Sequence, residues 1–389
     1  MTRLIVVGGG IAGAGAALAL HKAGFDVVVH EAHPDSAEDI GAFLTLASNG
    51  MRALAQLDAS PAVTATGFPL TSMRLLDDAG AETARVPLGE AGTAHLRYRC
   101  LRRGDLNAAL QTEVTRRGIE IRHGARLVSV EDGQDTVTAR FADGTSATGD
   151  LLIGADGLSS TVRRHIAPKA RSEYAGQYVF YGYTDTAPPS GAGETITMVR
   201  GSCVAFGYTE SPEGETYWFA RVSGEPLTAD TLAHGTPARW RELLLPLLRK
   251  DTTPAADLVA ATDRLMVTNA TELPTGTPWR GGRSLLVGDA AHAASPATGQ
   301  GASMALEDAV VLAKSLRDAP DTDAALRLYE RLRRPRTEHN ITVSGNISRG
   351  THIPSRPGPR GAGADRAGEE ELVRQLEWNT DLLGTGTTT

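Results

Sequence analysis

The sequence predicts an α/β fold with two sheets, one of them assembled from segments far apart in the chain. Three observations predict it: a strand–helix–strand opening, a run of aromatic alternating segments in the middle, and a return to strand, loop and long helix near residue 284. At 389 residues the chain exceeds one typical core, which allows about two to three domains.

The opening is read first. Leu4 to Val7 is apolar and β-branched, Ala14 to Leu20 favours helix, and Asp26 to His30 is again strand-like. Between the first two lies Gly8-x-Gly10-x-x-Gly13, and Glu31 follows the next strand eighteen residues after Gly13. This arrangement is a Rossmann-like dinucleotide fingerprint. Gly8 permits the tight turn, Gly10 lets the backbone approach a pyrophosphate, and Gly13 lets helix and strand pack closely. Ile11 and Ala12, at the helix start, offer unpaired N–H groups and a positive dipole to phosphates. Glu31 is placed to accept hydrogen bonds from a ribose diol. A Gly-rich turn without a ligand is the competing reading, and the strand, the helix and the acidic residue together argue against it.

The next segments are polar strands turning at Asp132-Gly133 and Asp143-Gly144, which form a small sheet leading into a buried run, Leu151 to Ile153. From about Glu173 to Met266 come Tyr178 to Tyr183, Cys203 to Tyr208 and Tyr217 to Val222. These predict a second sheet, completed by Met73 to Leu76 and Ala84 to Pro87. After Ser284 a long helix runs through Leu316. Beyond Arg334 and Pro335 a tail carries Pro and Gly, then a short helix over Glu369 to Leu382, with a frayed end at Gly384 to Thr389. The expected boundaries are 1–72, 97–172 and 269–345 for the first domain, 73–96 and 173–268 for the second, and 346–389 for the tail.

Composition excludes several functions. The chain is 41% hydrophobic and 22% charged, as expected of a globular protein. Lys and Arg number 39 against 46 Asp and Glu, and no basic block stands out, so nucleic acid is not an expected partner. Cys100 and Cys203 have no metal-ligand spacing and cannot form a disulfide framework, so no metal is expected and a reducing cytoplasm is. Gly8 to Gly10 interrupt the apolar N-terminus, which argues against a signal peptide, and Leu243 to Leu248 is too short to span a bilayer. A monomer or homodimer without a membrane segment is expected.

Two later motifs carry a family resemblance. Leu152-Ile153-Gly154-Ala155-Asp156-Gly157, continuing to Ser160 and Arg163, looks like the DG motif of the para-hydroxybenzoate hydroxylase-like (group A) flavoprotein monooxygenases. Leu286-Val287-Gly288-Asp289-Ala290-Ala291-His292, followed by Pro296 and Gly299-Gln300-Gly301, is similar to that family's GD motif, and Arg103-Gly104-Asp105-Leu106 with Leu110 is a further match. The resemblance covers most of Met1 to Arg336 and implies a Rossmann-like FAD-binding domain with a discontinuous α+β substrate domain.

The residues can be read physically beside it. Asp289 at a strand end can accept charge-assisted bonds from ribityl hydroxyls. Gly299, Gly301 and Ala302 allow backbone N–H groups at a helix start to reach the N1/C2=O edge of a flavin, where negative charge collects on reduction. The resemblance implies that Arg103, rather than the adjacent Arg102, reaches the FAD, and that Pro296 presents its carbonyl near the reacting edge. It also implies that Asp156 supports FAD and the nicotinamide donor; an Asp-Gly before a helix equally reads as a turn and N-cap. Arg163 reads as a local pairing partner, and His292 as scaffolding rather than a proton carrier. The chain departs from the family pattern at Ser303, where Asn is frequent, and at Ser48-Asn49, where Pro-Asn is frequent.

The implied activity is that of a single-component monooxygenase. It takes hydride from NADPH or NADH onto FAD, adds O2 to give a flavin C4a-hydroperoxide, and oxygenates an aromatic or polycyclic substrate. Phe180, Tyr181, Tyr183, Phe206, Tyr208, Trp218 and Phe219 lie on the second sheet, and alternation sends about half of them to a cavity. No general acid or base stands out, and hydroxylation, epoxidation and Baeyer–Villiger oxidation all fit. A halogenase is disfavoured because Trp218, Trp240, Trp279 and Trp378 are isolated rather than in a Trp-x-Trp segment. An FAD-dependent reductase or dehydrogenase and a non-catalytic flavin-binding protein share the same motifs.

Overall fold

The computed structural model describes residues 2–36, 42–89, 93–186, 193–351 and 359–384. Its first sheet has six strands, in the spatial order Arg280–Gly281, Ser284–Leu286, Leu151–Gly154, Arg3–Val7, Asp26–His30 and Glu120–Arg122. All pairings are parallel except that of Arg280–Gly281 with Ser284–Leu286. Such strands are buried on both faces, which explains the near-continuous Val, Ile and Leu of Leu4 to Val7 and Leu151 to Ile153. Helix Ile11–Lys22 packs against them on an almost wholly buried Gly/Ala/Leu surface, and helix Gly301–Asp318 packs on that helix in turn. The opening strand and helix each extend slightly past the expected residues, and the second strand matches in full.

A three-stranded antiparallel sheet, Leu127–Asp132, Val137–Phe141 and Ser146–Gly149, turns at the two expected Asp-Gly pairs. The second large sheet has seven strands, ordered Arg264–Glu272, Glu173–Thr184, Thr216–Ser223, Val204–Glu210, Thr195–Arg200, Ser72–Leu76 and Glu82–Pro87. The two early strands complete it as expected. A small sheet of Phe43–Leu46, Tyr98–Arg102 and Phe68–Leu70, which the sequence reading did not anticipate, lies in the region between the two.

Alternation divides the seven-stranded sheet by face. Phe180, Phe206, Tyr208 and Trp218 are buried with Trp240, Leu244 and Leu258 of the covering helices, and Trp218 donates to Thr262 Oγ1 at 2.8 Å. Gly182, opposite Trp218, has no room for a Cβ because the indole fills that space. Tyr181, Tyr183, Tyr217 and Phe219 instead face Phe43 and the first domain's side.

The C-terminal third differs most from expectation. Helix Thr322–Ser348 runs unbroken through Pro335, which removes one backbone donor from the ladder. Buried Arg333, Thr337 and Asn340 hold it on both sides of the proline, so tertiary packing overrides the local cost. The helix therefore crosses residue 345, and strand Arg264–Glu272 crosses residue 268, where boundaries were expected. The tail helix spans Pro359–Leu376 rather than 369–382, and the segment is docked: Leu376 and, beyond the helix, Leu382 join the main core. The fraying expected over Gly384 to Thr389 lies, beyond Gly384, outside the described residues.

Candidate active site

A cavity of about 690 Å³ lies between the carboxyl ends of the parallel strands and the inner face of the seven-stranded sheet. Gly10, Ile11, Ala12, Arg103, Asp289, Pro296, Gly299, Gly301 and Ala302, all singled out in the sequence, reach its wall. Gly8, Gly13, Glu31 and Asp156 lie behind the wall, where they shape it.

The first part of the wall is the start of helix Ile11–Lys22. Gly8 has φ +104°, donates to the His30 carbonyl at 2.8 Å, and would drive a Cβ into the Ala155 carbonyl. A Cβ on Gly13 would overlap the Gly8 carbonyl oxygen, whereas Gly10 faces open space. Gly10 is the N-cap and no side chain caps the helix, so its first-turn N–H groups point at the cavity without intrahelical partners.

Glu31 holds this loop directly. Its Oε2 accepts from Gly9 N–H at 2.5 Å and its Oε1 from His33 N–H at 2.7 Å, leaving the remaining lone pairs for a ligand. Gln111, which the sequence reading missed, donates from Nε2 to the Gly9 carbonyl at 2.8 Å.

Arg102 and Arg103 part company at the start of helix Arg103–Arg116. Arg102 turns to the second sheet, pairs with Glu215 at 2.5 Å and lies over the Tyr183 ring at 4.5 Å. Arg103 lines the cavity. Asp156 has the local role: Oδ1 accepts from Ser160 Oγ at 2.5 Å, and Oδ2 from Thr161 N–H at 2.6 Å and Val162 N–H at 3.1 Å. Burial raises its carboxyl above the usual range despite these bonds. Its backbone neighbours Ala155 and Gly157, not its side chain, reach the cavity. Arg163 is indeed a tie, donating to Ala290 O at 2.9 Å and to Leu158 O.

The second part of the wall is Asp289 and the turn that follows. Gly288 has φ +57°, and its N–H and the His292 Nε2 both meet Asp308 Oδ2, at 2.9 Å and 2.5 Å. Asp308 also pairs with Arg333 at 2.8 Å. Burial alone would raise Asp308, but His292 and Arg333 hold its carboxyl below the usual range. His292 is thus buried scaffolding.

The turn Pro296–Thr298 is pinned by Thr298 Oγ1 donating to Asn340 Oδ1 at 2.8 Å, and Gly299 follows at φ +66°. Helix Gly301–Asp318 then starts at Gln300 without a side-chain cap, a second free N-terminus on the same cavity. Asn49 bonds Gln300 Oε1 at 3.0 Å and Glu307 Oε1 at 2.6 Å, while Ser303 Oγ accepts Ala47 N–H at 3.1 Å. Of the two departures from the family pattern, Ser303 therefore helps to hold this helix start, whereas the Ser48 hydroxyl is buried without a hydrogen-bond partner.

The opposite wall is apolar. Of the aromatic residues expected there, Tyr181 and Phe219 line the cavity; Phe43, Tyr98, Met266 and Arg221 were missed. Arg221 was legible in principle, because it shares strand parity with Phe219. Among the described residues no cluster could hold a metal ion, and no helix is long and apolar enough to cross a membrane.

Two free helix N-termini, a carboxylate and an arginine on one cavity fit FAD: the N–H groups and Arg103 suit its pyrophosphate, and Asp289 its ribityl hydroxyls. The FAD binding domain family matches residues 1–344. The chain is 31% identical over 355 residues to aurachin C monooxygenase/isomerase of Stigmatella aurantiaca, covering 88% of each protein. It is 32% identical over 379 residues to 3-amino-4-hydroxybenzoate 2-monooxygenase PtmB3 of Streptomyces platensis, covering 92% of this chain and 90% of that one. The crystal structure of Klebsiella pneumoniae HpxO complexed with FAD and uric acid superposes with a TM-score of 0.81 at 28% identity, over 95% of this chain and 92% of that one. With the cavity, the motifs and these relatives in agreement, the chain belongs to the FAD-binding family of para-hydroxybenzoate hydroxylase-like flavoprotein monooxygenases.

Proposed function

We propose that this chain is a single-component monooxygenase that consumes NADPH or NADH and O2 and places one oxygen atom on an aromatic or polycyclic small molecule. The observation that carries it is a cavity of which one wall carries the FAD-type groups and the other is a largely apolar sheet face. Cofactor and substrate then share one space.

Bound FAD supplies two-electron reduction and oxygen activation. The chain's residues bind and orient it. Gly10, Ile11 and Ala12 offer backbone N–H groups to the pyrophosphate, with Gly8 and Gly13 shaping the turn and Glu31 taking the ribose. Arg103 and Asp289 reach the middle of the cofactor, and Gly299, Gly301 and Ala302 present N–H groups to the flavin's polar edge. Pro296 holds the turn beside the reacting edge, and Asp156 acts through the backbone it caps. Tyr181, whose hydroxyl burial pushes up to about 12, stays protonated at neutral pH and can donate a hydrogen bond but not abstract a proton. Phe219, Met266 and Tyr181 keep water from the substrate side.

The two-domain division at the boundaries expected from sequence, with the strand and helix overruns noted above, belongs to this proposal. So do a cytoplasmic setting, supported by two free cysteines, and a monomer or homodimer. The test is purification followed by oxygen-electrode assays with NADPH and NADH against phenols, indoles and polyketides. The protein should be yellow, and Gly13→Val and Asp289→Ala should each lose FAD. A compound should raise oxygen uptake and gain one oxygen atom. Full flavin retention in both variants would overturn the cofactor placement; substrate reduction by NAD(P)H without oxygen uptake would favour a reductase.

A further inference from the structure

Three of the chain's six methionines, Met73, Met198 and Met266, line the cavity. Met51 and Met304 are buried elsewhere, 1% and 5% exposed, and serve below as internal controls. The three come from strands Ser72–Leu76, Thr195–Arg200 and Arg264–Glu272, far apart in the chain and toward both sides of the seven-stranded sheet.

Strand register sets two of them in one row across the inner face. Met266 stands opposite Tyr181, Tyr181 opposite Phe219, Phe219 opposite Gly207, and Gly207 opposite Met198. Two thioethers thus bracket two aromatic rings, about 19 Å apart at the backbone by four strand spacings. A Cβ on Gly207 would strike the Phe219 ring and come within 3.0 Å of Met198 Sδ, so ring and sulfur share the space above this glycine. Phe219 lies two residues, about 7 Å, from Arg221, whose Nη1 donates to the Ala297 carbonyl at 3.2 Å. The row therefore lies beside the Pro296–Thr298 turn, next to the proposed reacting edge of the flavin.

A thioether is soft and polarizable, needs no deprotonation to give up an electron pair, and is oxidised to a sulfoxide more readily than any other side chain on this wall. We infer that the cavity methionines are a site of self-oxygenation: when no ring covers Tyr181 and Phe219, the oxygen atom destined for substrate goes to a methionine sulfur. The inference rests on the proposed function, since it takes the same co-reactants. NAD(P)H, one proton and O2 are consumed. The sulfur supplies an electron pair, the O–O bond breaks, an S–O bond forms, and the second oxygen leaves as water with NAD(P)+. The product places a polar, chiral group in an apolar wall.

The test turns the FAD-loaded enzyme over on NADPH under isotopically heavy O2, without any aromatic compound and with catalase in the medium, then maps the digest by mass spectrometry. Heavy oxygen should appear on at least one of the three cavity methionines, about 10-fold or more above Met51 and Met304. The Asp289→Ala variant, without FAD, should gain none. If catalase erases a label seen in its absence, the oxidant arrives from the medium as free peroxide and the inference fails. It fails also if the three stay unlabelled while NADPH and O2 are consumed, or if Met51 and Met304 are labelled equally; the flavin chemistry stands in each case. Illumination with EDTA reduces the flavin without NADPH and separates the two readings. Label after illumination and reoxidation, with none after NADPH, would overturn the single-component reading and keep the self-oxygenation site. A protein that holds no FAD overturns both.

Discussion

His30 ends the second strand, and its carbonyl receives the Gly8 N–H at the cofactor loop. Its imidazole stacks on Phe141 with ring centres 4.3 Å apart, only 2% of the residue is exposed, and neither ring nitrogen has a partner. Burial, with help from Arg122, lowers its pKa to about 4. The folded state thus refuses a proton that the unfolded chain accepts near its ordinary value. The stability this contributes is complete above about pH 6.5 and is lost as pH falls toward about 4, on the order of 2–3 kcal/mol. His30→Phe should remove that dependence while keeping the stack and the backbone bond. Urea melts at pH 7 and pH 4.5 should show wild type losing more stability than the variant; equal losses would sink the idea. Sequence reading placed His30 at a strand end but could not see the burial, because Phe141 comes from a different sheet. The glycine fingerprint was legible for the opposite reason: Gly8 and Gly13 answer to backbone contacts that every such turn requires. Glu31 was found by spacing, yet its bonds to Gly9 and His33 were not foreseeable from spacing alone.

At the scale of elements, periodicity revealed what was amphipathic or alternating and missed what is held by distant partners. Five of the seven strands of the second sheet were legible as segments, whereas Thr195–Arg200 and Arg264–Glu272 were not singled out; nor was the small sheet of Phe43–Leu46, Tyr98–Arg102 and Phe68–Leu70, its strands being only three to five residues long. The docked C-terminal segment is a clearer case. Lys314, buried on helix Gly301–Asp318, donates from Nζ to the Gln375 and Glu377 carbonyls at 2.8 and 2.5 Å, and to Thr380 Oγ1 at 3.0 Å. One ammonium group thereby satisfies the carbonyl end of helix Pro359–Leu376. Arg317 and Lys22 flank Trp378, at 5.3 and 5.0 Å from its ring centre. Nothing local in the sequence pairs a lysine with carbonyls some sixty residues on. Lys314→Met should keep most of the packing but orphan those carbonyls, costing about 2–4 kcal/mol and freeing the segment. Limited proteolysis should then cut near residue 351 under conditions that leave wild type whole. An unchanged digest and an unchanged urea midpoint would show that apolar contacts through Leu376 and Leu382 suffice.

Across the whole molecule, the two large sheets come together at one cavity, and this arrangement dictates how electrons enter. The glycine-rich start at Gly8 carries a following strand and acidic residue, and the cavity it opens on is the one that fits FAD. No second complete fingerprint stands in the sequence, so a nicotinamide donor has no comparable helix start at which to bind stably. The family resemblance implies that it visits an open groove near Asp156 and the flavin instead. Substrate, in contrast, has a built apolar wall that ends beside the Pro296–Thr298 turn. Binding of substrate should therefore control the donor's access and the hydride step. The FAD-loaded protein alone should oxidise NADPH or NADH slowly and speed up, by about 10-fold or more, when the right substrate is present, as expected if its binding energy drives closure. A poor analogue, which fills the wall without presenting its reactive carbon, should stimulate oxidation but release hydrogen peroxide in proportion. Stopped-flow reduction under anaerobic conditions, followed by peroxide assay in air, reads both effects. If reduction proceeds only when a separate flavin reductase is added, with every compound tried, the single-component reading fails and a two-component enzyme takes its place.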